Sequence, residues 1–258
     1  MTQSGRIAYL LDYFLSETPE NQNIAVPLDE EGQKEILRGL INLRPPHDIP
    51  EEVLTMEDAF LQTDLEGKVV PFSSMTPKKG NIYLWQGDIT KLEIDGIVNA
   101  ANSDMLGCFY PCHKCIDNAI HTFSGIRLRL ACHELMEKQG RPEATGCAKI
   151  TPAYNLPSKY VLHTVGPIVH GGLEEYHREA LERSYRSCLF LASEQKLEAL
   201  AFCCISTGEF HFPQEEACNI AINVVEDYIE KVDKNLKVLF NVFKEEDLKL
   251  YEEKLRPC

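Results

Sequence analysis

From about residue 80 onward, short apolar runs typical of β-strands alternate with longer segments whose apolar residues recur at helical spacing. The strand runs lie at 82–85, 96–100, 148–152, 160–165, 200–205 and 237–243, and the helical patterns lie at about 116–138, 174–195, 214–231 and 245–255. This alternation predicts an α/β domain whose sheet is largely parallel and covered on both faces. Because ligands of such sheets bind in the loops at the carboxyl ends of the strands, the functional residues are expected there.

The first part of the chain has a different pattern. Apolar residues recur at helical spacing over 4–16, about 30–43 and about 51–62, and Pro-containing turns separate these segments. Between Pro71 and Gly80 the composition changes to Ser, Thr, Pro, Lys and Gly, which indicates a linker. We therefore predict a helical N-terminal extension over residues 1–75 and an α/β domain over residues 76–258.

The first residues and the composition of the chain predict a cytoplasmic protein. The first residues lack the basic region and the small-residue cleavage site of a signal peptide, and no stretch approaches the ~20 apolar residues of a membrane span. Ten cysteines are spread along the chain rather than concentrated as in a small disulfide scaffold. Five of them lie in apolar patterns and are expected to be reduced core residues: Cys132, Cys188, Cys203, Cys204 and Cys218.

The formal net charge of −14 repels a polyphosphate backbone, so nonspecific binding of nucleic acid is not expected. An anionic ligand would have to be held by local dipoles. Polar loops that follow three apolar strand runs are suited to this, at 86–90, 98–103 and 204–210. The third leads through Pro213 into a helix, where exposed backbone N–H groups can bind phosphate.

Five stretches in this order resemble the macrodomain family: GDIT at 87–90, VNAANS at 98–103, DNAIH at 117–121, LHTVGP at 162–167 and ISTGEF at 205–210. The resemblance covers about residues 80–250. It implies a three-layer α/β/α fold with a mostly parallel mixed sheet, and a pocket for ADP-ribose. His163 and His121 lie in these stretches, and we interpret both as core histidines.

The resemblance also implies roles for individual residues. Asp88 would accept a hydrogen bond from the adenine amino group, beside the backbone of Ile89. Asn102 would bind the distal ribose, and Asp117 would orient a water molecule or a ribose hydroxyl. The loop around the diphosphate would be formed by Ser206, Thr207, Gly208, Glu209 and Phe210. Phe243 is either an aromatic near the adenine or an ordinary core residue.

The segment from Gly107 to Asp117 departs from the glycine-rich loop of most macrodomains. Cys108, Cys112, His113 and Cys115 lie within eight positions, and thiolates with imidazole are the ligand set that zinc prefers. The order of residues resembles the loop of zinc-containing macrodomains, which implies Cys108, His113 and Cys115 as ligands of one Zn²⁺ per chain. Three protein ligands leave a coordination position for water or substrate, as in catalytic zinc sites.

Several alternatives remain open from the sequence. The zinc could be purely structural, or the cysteines could bind no metal, and Cys112 could be a bystander, a redox partner or another ligand. The leading hypothesis is a zinc-dependent hydrolase that removes mono-ADP-ribose from modified proteins and releases ADP-ribose. The alternatives are a reader that binds ADP-ribose without turnover and a hydrolase acting on O-acetyl-ADP-ribose.

Overall fold

The computed structural model describes residues 1–256 of the 258-residue chain. The helices are α1 (Gln3–Ser16), α2 (Glu30–Leu43), α3 (Glu51–Leu65), α4 (Ile116–Ser124), α5 (Ile126–Gln139), α6 (Glu175–Glu194), α7 (Gln214–Lys231) and α8 (Glu245–Lys254). The strands are β1 (Val70–Pro71), β2 (Ile82–Gln86), β3 (Leu92–Glu93), β4 (Gly96–Ala101), β5 (Ala148–Pro152), β6 (Tyr160–Val165), β7 (Ala199–Phe202) and β8 (Lys237–Val242).

Six strands form one sheet in the order β2–β8–β7–β4–β6–β5. All neighbours in it are parallel except β5, which runs antiparallel to β6. The central strands are buried on both faces, and all four residues of β7 are buried, which is why their sequences read as continuous apolar runs. The predicted three-layer α/β/α fold with a mostly parallel mixed sheet is confirmed.

Residues 116–138, predicted as one helical segment, form two helices. Gly125 separates α4 from α5 with φ of 91°, a backbone conformation that favours glycine. The backbone N–H of Ile126, the first residue of α5, donates to Glu57 Oε2 at 3.0 Å. The apolar periodicity continues across the break, so the pattern alone did not separate the two helices.

The predicted linker contains regular structure. Val70 and Pro71 pair in parallel with Leu92 and Glu93, and a 3₁₀ turn follows directly. Lys78 N–H then donates to the carbonyl of Ile82 at 2.8 Å. The segment that connects the N-terminal helices to the sheet is held against the core by Phe72 and Met75, and most of its other residues are exposed.

The three N-terminal helices have an apolar core of their own, separate from the apolar cluster around the sheet. Thr2 and Asp29 cap α1 and α2 by accepting hydrogen bonds from backbone N–H groups, so these helices begin near their predicted positions. The buried apolar side chains of all three helices form a single cluster, which also includes Ile126 of α5. The boundary at residues 75 and 76 stays a prediction.

Of the five cysteines predicted to be reduced core residues, four are buried and Cys204 is half-buried, and all five are free thiols. Over residues 1–256, none of the helices has the combination of length and apolar character that crossing a bilayer requires.

Candidate active site

The loops that follow β2, β4, β7 and β8 surround a cavity of about 690 Å³, which is within the size range of small-molecule sites. The cavity lies at the carboxyl ends of parallel strands, where ligands of such sheets bind. All the predicted site residues line it: Asp88, Ile89, Asn102, Cys108, His113, Cys115, Asp117, Ser206, Thr207, Gly208, Glu209, Phe210 and Phe243.

Asp88 and Ile89 lie directly after β2. The Oδ1 atom of Asp88 accepts hydrogen bonds from the backbone N–H and the hydroxyl of Thr90, at 3.0 Å and 2.6 Å. Ile89 is buried and begins a short 3₁₀ turn. Asp88 thus caps this turn and lines the cavity at the same time, so its turn role and its predicted ligand role are compatible.

The loop at 206–210 connects β7 to α7. Ser206 adopts a left-handed backbone conformation with φ of 65°, and its carbonyl accepts from Phe212 N–H at 2.9 Å, which closes the loop. The buried hydroxyl of Ser206 has no hydrogen-bond partner among residues 1–256. This oxygen packs against Gly166, where a Cβ would clash with it, so the hydroxyl is enclosed by protein in this conformation. The position of the loop, at the carboxyl end of a parallel strand and on the wall of the cavity, fits a phosphate-binding loop.

Phe243 follows the last residue of β8. Its side chain is 77% exposed and lies at the edge of the cavity, so it is not an ordinary core residue. An exposed aromatic ring at this position is available to stack on a flat ligand group.

Asn102 begins the loop after β4, and its side-chain amide is fully engaged. Oδ1 accepts from the N–H groups of Asp104 and Met105, and Nδ2 donates to the Gly107 carbonyl at 3.0 Å and to Asp117 Oδ2 at 3.4 Å. An amide side chain has two donors and two acceptor positions, and all four are used here. Asn102 therefore holds the loop and Asp117 in place, and its predicted bond to a ribose stays a prediction.

Asp117 lies in the first turn of α4 and is held from a second side by Asn99 Nδ2, which donates to Oδ1 at 2.8 Å. Burial raises the pKa of Asp117 to about 6, and the bond from Asn99 and the charge of Arg129 oppose this shift. Asn99 Nδ2 also lies 3.2 Å from His163 Nδ1. Two asparagines thus fix the direction of the carboxylate at the floor of the cavity.

His163 and His121 are both buried, as the sequence predicts. Burial lowers the pKa of His163 to about 4, so its ring is neutral at physiological pH, and Nε2 lies 3.0 Å from Thr151 Oγ1. Burial also lowers the pKa of His121, whose Nε2 lies 3.6 Å from Asp117 Oδ1. Their predicted place in the core is confirmed.

Three of the four soft side chains of the 107–117 segment meet at one point. The ligand atoms of Cys108, His113 and Cys115 all lie within 4.8 Å of one another, and Cys108 Sγ is 3.5 Å from His113 Nδ1. The other ring nitrogen of His113 faces Glu209, with Nε2 3.7 Å from Oε1. Histidines that bind metals commonly direct their second nitrogen to a carboxylate. The donor set and this outer carboxylate both fit a zinc ion.

Burial raises the pKa of Cys115 to about 12, so the thiol alone would stay protonated at neutral pH. A divalent cation opposes this shift, because it favours the thiolate.

Cys112 is separate from the other three. Its Sγ donates to the carbonyl of Glu35 in α2 at 3.3 Å, and its left-handed backbone, with φ of 53°, directs it away from the cluster.

Sequence reasoning missed the cations of the site. Arg38 of the N-terminal extension, Lys114 and Lys244 all line the cavity. They place positive charge on the wall of the cavity although the whole chain carries −14. Lys114 and Lys244 lie beside predicted site residues, a signal that was present in the sequence. Arg38 lies about 70 residues earlier in the chain, and no local pattern indicates its place.

The α/β/α fold and a cavity at the carboxyl ends of its strands define a ligand-binding α/β protein, and the comparisons identify which. The Macro domain model matches residues 98–221. A protein-ADP-ribose hydrolase from Treponema medium is 48% identical over 256 residues, covering 97% of this chain and 98% of the relative. The chain therefore belongs to the macrodomain family.

Two further comparisons agree. A protein-ADP-ribose hydrolase from Staphylococcus aureus strain MRSA252 is 46% identical over 254 residues, covering 98% of this chain and 96% of the relative. Among solved structures, the Trypanosoma brucei macrodomain in complex with ADP-ribose is similar with a TM-score of 0.67 and 28% identity, covering 83% of this chain and 93% of that one. The similarity to the two hydrolases covers 97% and 98% of the chain and so includes the N-terminal helices.

Proposed function

We propose that the protein is a zinc-dependent hydrolase that removes mono-ADP-ribose from modified proteins and releases ADP-ribose. The enzyme class follows from relatives named protein-ADP-ribose hydrolase at 45–48% identity over 97–98% of this chain. The requirement for zinc and the restriction to mono-ADP-ribose are our inference. The observation that carries the zinc requirement is the cluster of Cys108, His113 and Cys115 on the wall of the same cavity that holds Asp117.

Different residues along the cavity would bind different parts of the ADP-ribose. The 206–210 loop and Lys244 would bind the diphosphate, with Asp88 and Phe243 at the adenine. Asn99 and Asn102 hold Asp117, whose carboxylate would orient the attacking water or a ribose hydroxyl. This positioning lowers the activation barrier of hydrolysis, because the water molecule and the bond to be cleaved are already held in a reactive orientation.

Cys108, His113 and Cys115 would hold the zinc ion, which when bound supplies a Lewis acid at this end of the cavity. Cys115 caps α4 and Asp117 lies in its first turn, so one of the three candidate ligands and the candidate catalytic carboxylate share the start of one helix. The chemistry is therefore expected at the N-terminal end of α4.

The test combines metal content with activity on one preparation. We expect about one zinc per chain by elemental analysis, release of ADP-ribose from a mono-ADP-ribosylated protein, loss of that release after chelation, and its return with added zinc. Cys108→Ser should bind less zinc and lose turnover. Cys112→Ser is the matched control, because Cys112 lies in the same loop outside the ligand cluster, and it should retain both.

Each other outcome identifies a different function. Full activity in metal-free protein would remove zinc from the proposal. A protein that binds ADP-ribose tightly but releases none from a modified substrate would be a reader. Faster cleavage of O-acetyl-ADP-ribose than of a modified protein would make it an esterase of the free metabolite. The cytoplasmic location stays a prediction.

A further inference from the structure

The loop that carries the candidate metal ligands, residues 107–115, is here called the ligand loop. It connects β4 to α4 without forming a helix or strand of its own. Its backbone closes one turn, in which His113 N–H donates to the Tyr110 carbonyl at 3.2 Å. A loop with so little internal hydrogen bonding does not fix three ligand atoms by itself, so its shape depends on the elements packed against it.

Arg38 of α2 bonds directly to this loop. Its Nη2 donates to the carbonyl of His113 at 3.2 Å and to Asn118 Oδ1 at 2.7 Å. These bonds join residues 75 and 80 positions apart in the chain. The bond from Arg38 to the His113 carbonyl holds the backbone of His113 in place. It therefore restricts the positions that the imidazole ring of His113 can take.

Asn118, which Arg38 contacts, also donates hydrogen bonds to the two cysteine ligands. Its Nδ2 donates to the carbonyls of Tyr110 and Cys108, at 3.0 Å and 3.4 Å, and its backbone N–H donates to Cys115 Sγ at 3.4 Å. Because Arg38 binds Oδ1, the amide of Asn118 is oriented with Nδ2 toward the loop. Arg38 of α2 therefore contacts His113 directly and Cys108 through the side chain of Asn118, whereas the bond to Cys115 comes from the backbone of α4 itself.

Asn42, one turn after Arg38, holds the middle of the loop. Its Oδ1 accepts from Cys112 N–H at 3.0 Å, and its Nδ2 donates to Thr122 Oγ1 of α4 at 3.0 Å. Between these two residues on the helix, Gly39 faces the loop, and a Cβ there would make ordinary van der Waals contact with Pro111 Cβ at 3.7 Å and Cys112 Sγ at 3.9 Å. The turn that precedes His113 therefore packs against α2.

Arg129 fastens the other end of the loop to the same helix. Its Nη1 donates to the carbonyls of Ile41 and Arg44 at the carboxyl end of α2, at 2.8 Å and 2.6 Å. Its Nε donates to the Leu106 carbonyl at 2.8 Å, just before the loop, and its guanidinium lies 4.6 Å from the Phe109 ring centre. Both ends of the ligand loop are therefore tied to α2.

We infer that α2 of the N-terminal extension is a positioning element for the candidate metal site, and that Arg38 is its positioning residue. This inference rests on the proposed function, because it concerns how tightly the proposed zinc is held. It assigns the extension a role in the reaction beyond covering apolar surface. Loss of Arg38 should loosen His113 and Asn118 together and so weaken zinc binding, although Arg38 is not itself a ligand.

The test compares three variants of the full chain. Arg38→Met keeps the apolar stem and removes the donors, and Arg38→Lys keeps a charged donor on a similar stem. Arg6→Met is the matched control, since Arg6 also bonds within the N-terminal helices, to Gln3 and Thr63, but does not contact the ligand loop. The readouts are the zinc dissociation constant by competition with a coloured chelator, the midpoint of thermal unfolding of the metal-free protein, and kcat and KM with zinc in excess.

We expect Arg38→Met to weaken zinc binding about 10-fold or more, the size of effect found for groups just outside a metal's ligands, with Arg38→Lys between it and the wild type. Arg6→Met should bind zinc as the wild type does, even where its unfolding midpoint falls equally. Excess zinc should restore part of the kcat of Arg38→Met.

Equal zinc affinity for Arg38→Met and Arg6→Met, in a wild-type protein that binds zinc, would overturn the inference and leave the proposed function intact. A wild-type protein that binds no zinc would overturn both, and the wild-type measurement alone identifies that case.

Discussion

Gly107, the first residue of the ligand loop, has no room for a side chain. Its φ is 83°, and a Cβ would lie 2.7 Å from Cγ of the buried His121 ring. We expect Gly107→Ala to cost roughly 2–5 kcal/mol of unfolding free energy, from the left-handed backbone together with overpacking. It should also weaken zinc binding, because Cys108 is the next residue.

Gly140→Ala separates these two contributions. Gly140 also has a left-handed backbone, with φ of 68°, but nothing lies within 4 Å of its Cβ position. Chemical denaturation should show a loss of only about 1–2 kcal/mol for this variant, with zinc affinity unchanged. If the two glycine variants lose equal stability, the contact with His121 carries no energy and the ligand loop is more adaptable than the structure indicates.

Asp117 can be tested by a substitution that preserves its shape. Asp117→Asn keeps the size of the side chain and one oxygen that can accept from Asn99, so we expect the variant to fold. General acid–base groups contribute about 10²–10⁴-fold in rate, and kcat should fall by an amount in this range. Calorimetry should show that affinity for ADP-ribose changes little, since the diphosphate loop is separate. An unchanged kcat would assign the orientation of the water molecule or ribose hydroxyl to another group.

At the residue scale, sequence reasoning found the groups that lie in short motifs and missed those that act across the chain. Asp88, Asn102 and Asp117 each lie in a short motif beside a strand end or a helix start, so their place follows from the local pattern. Arg38 and Arg129 reach the site through bonds that join residues 75 to 88 positions apart. No local pattern specifies such a partner, because it depends on how the elements pack.

At the scale of elements, Glu57 joins α3 to α5. It is fully buried, and Oε2 accepts from the first N–H of α5. Burial raises the pKa of Glu57 to about 7 from an ordinary value of 4.5; the bond from Ile126 and the charges of Arg127 and Arg129 lower it, and Asp58 raises it. The folded state therefore binds the proton more tightly than the unfolded state does.

A raised carboxyl pKa stabilises the fold at low pH, and this contribution is lost as pH rises from about 4.5 through about 7. Relative to Glu57→Gln, which does not titrate, the wild type should lose about 2–3 kcal/mol between pH 5 and pH 8. Urea unfolding of both proteins at the two pH values measures this difference directly. A constant difference would mean that Glu57 is ionised in the folded protein throughout.

The elements themselves were largely predictable. Buried parallel strands read as continuous apolar runs, and amphipathic helices read as 3.6-residue repeats, so their positions follow from the sequence. The break at Gly125 was not separated, because the apolar repeat continues on either side of it. The 71–80 segment was predicted as a linker because its composition resembles one, and its pairing with β3 depends on a contact elsewhere in the chain.

At the scale of the whole molecule, the N-terminal helices and the α/β part are joined by hydrogen bonds and apolar contacts. Each of these interactions needs groups from both parts. Ile126 of α5 completes the apolar cluster of the N-terminal helices. Arg129 is buried and uses carbonyls of α2, and Glu57 uses the start of α5. Separating the two parts would expose apolar surface and leave these polar groups without partners, so the two parts should unfold together.

The single tryptophan makes this testable without any substitution. Trp85 lies in β2 of the sheet, so its fluorescence reports the α/β part, whereas far-ultraviolet circular dichroism reports all helices, including α1, α2 and α3. In one cooperative transition, the two signals must change with the same midpoint and slope in denaturant. We expect them to coincide. An earlier change in circular dichroism, with Trp85 fluorescence unaltered, would show that the N-terminal helices unfold separately, and the ligand loop would then lose its support from α2 before the sheet unfolds.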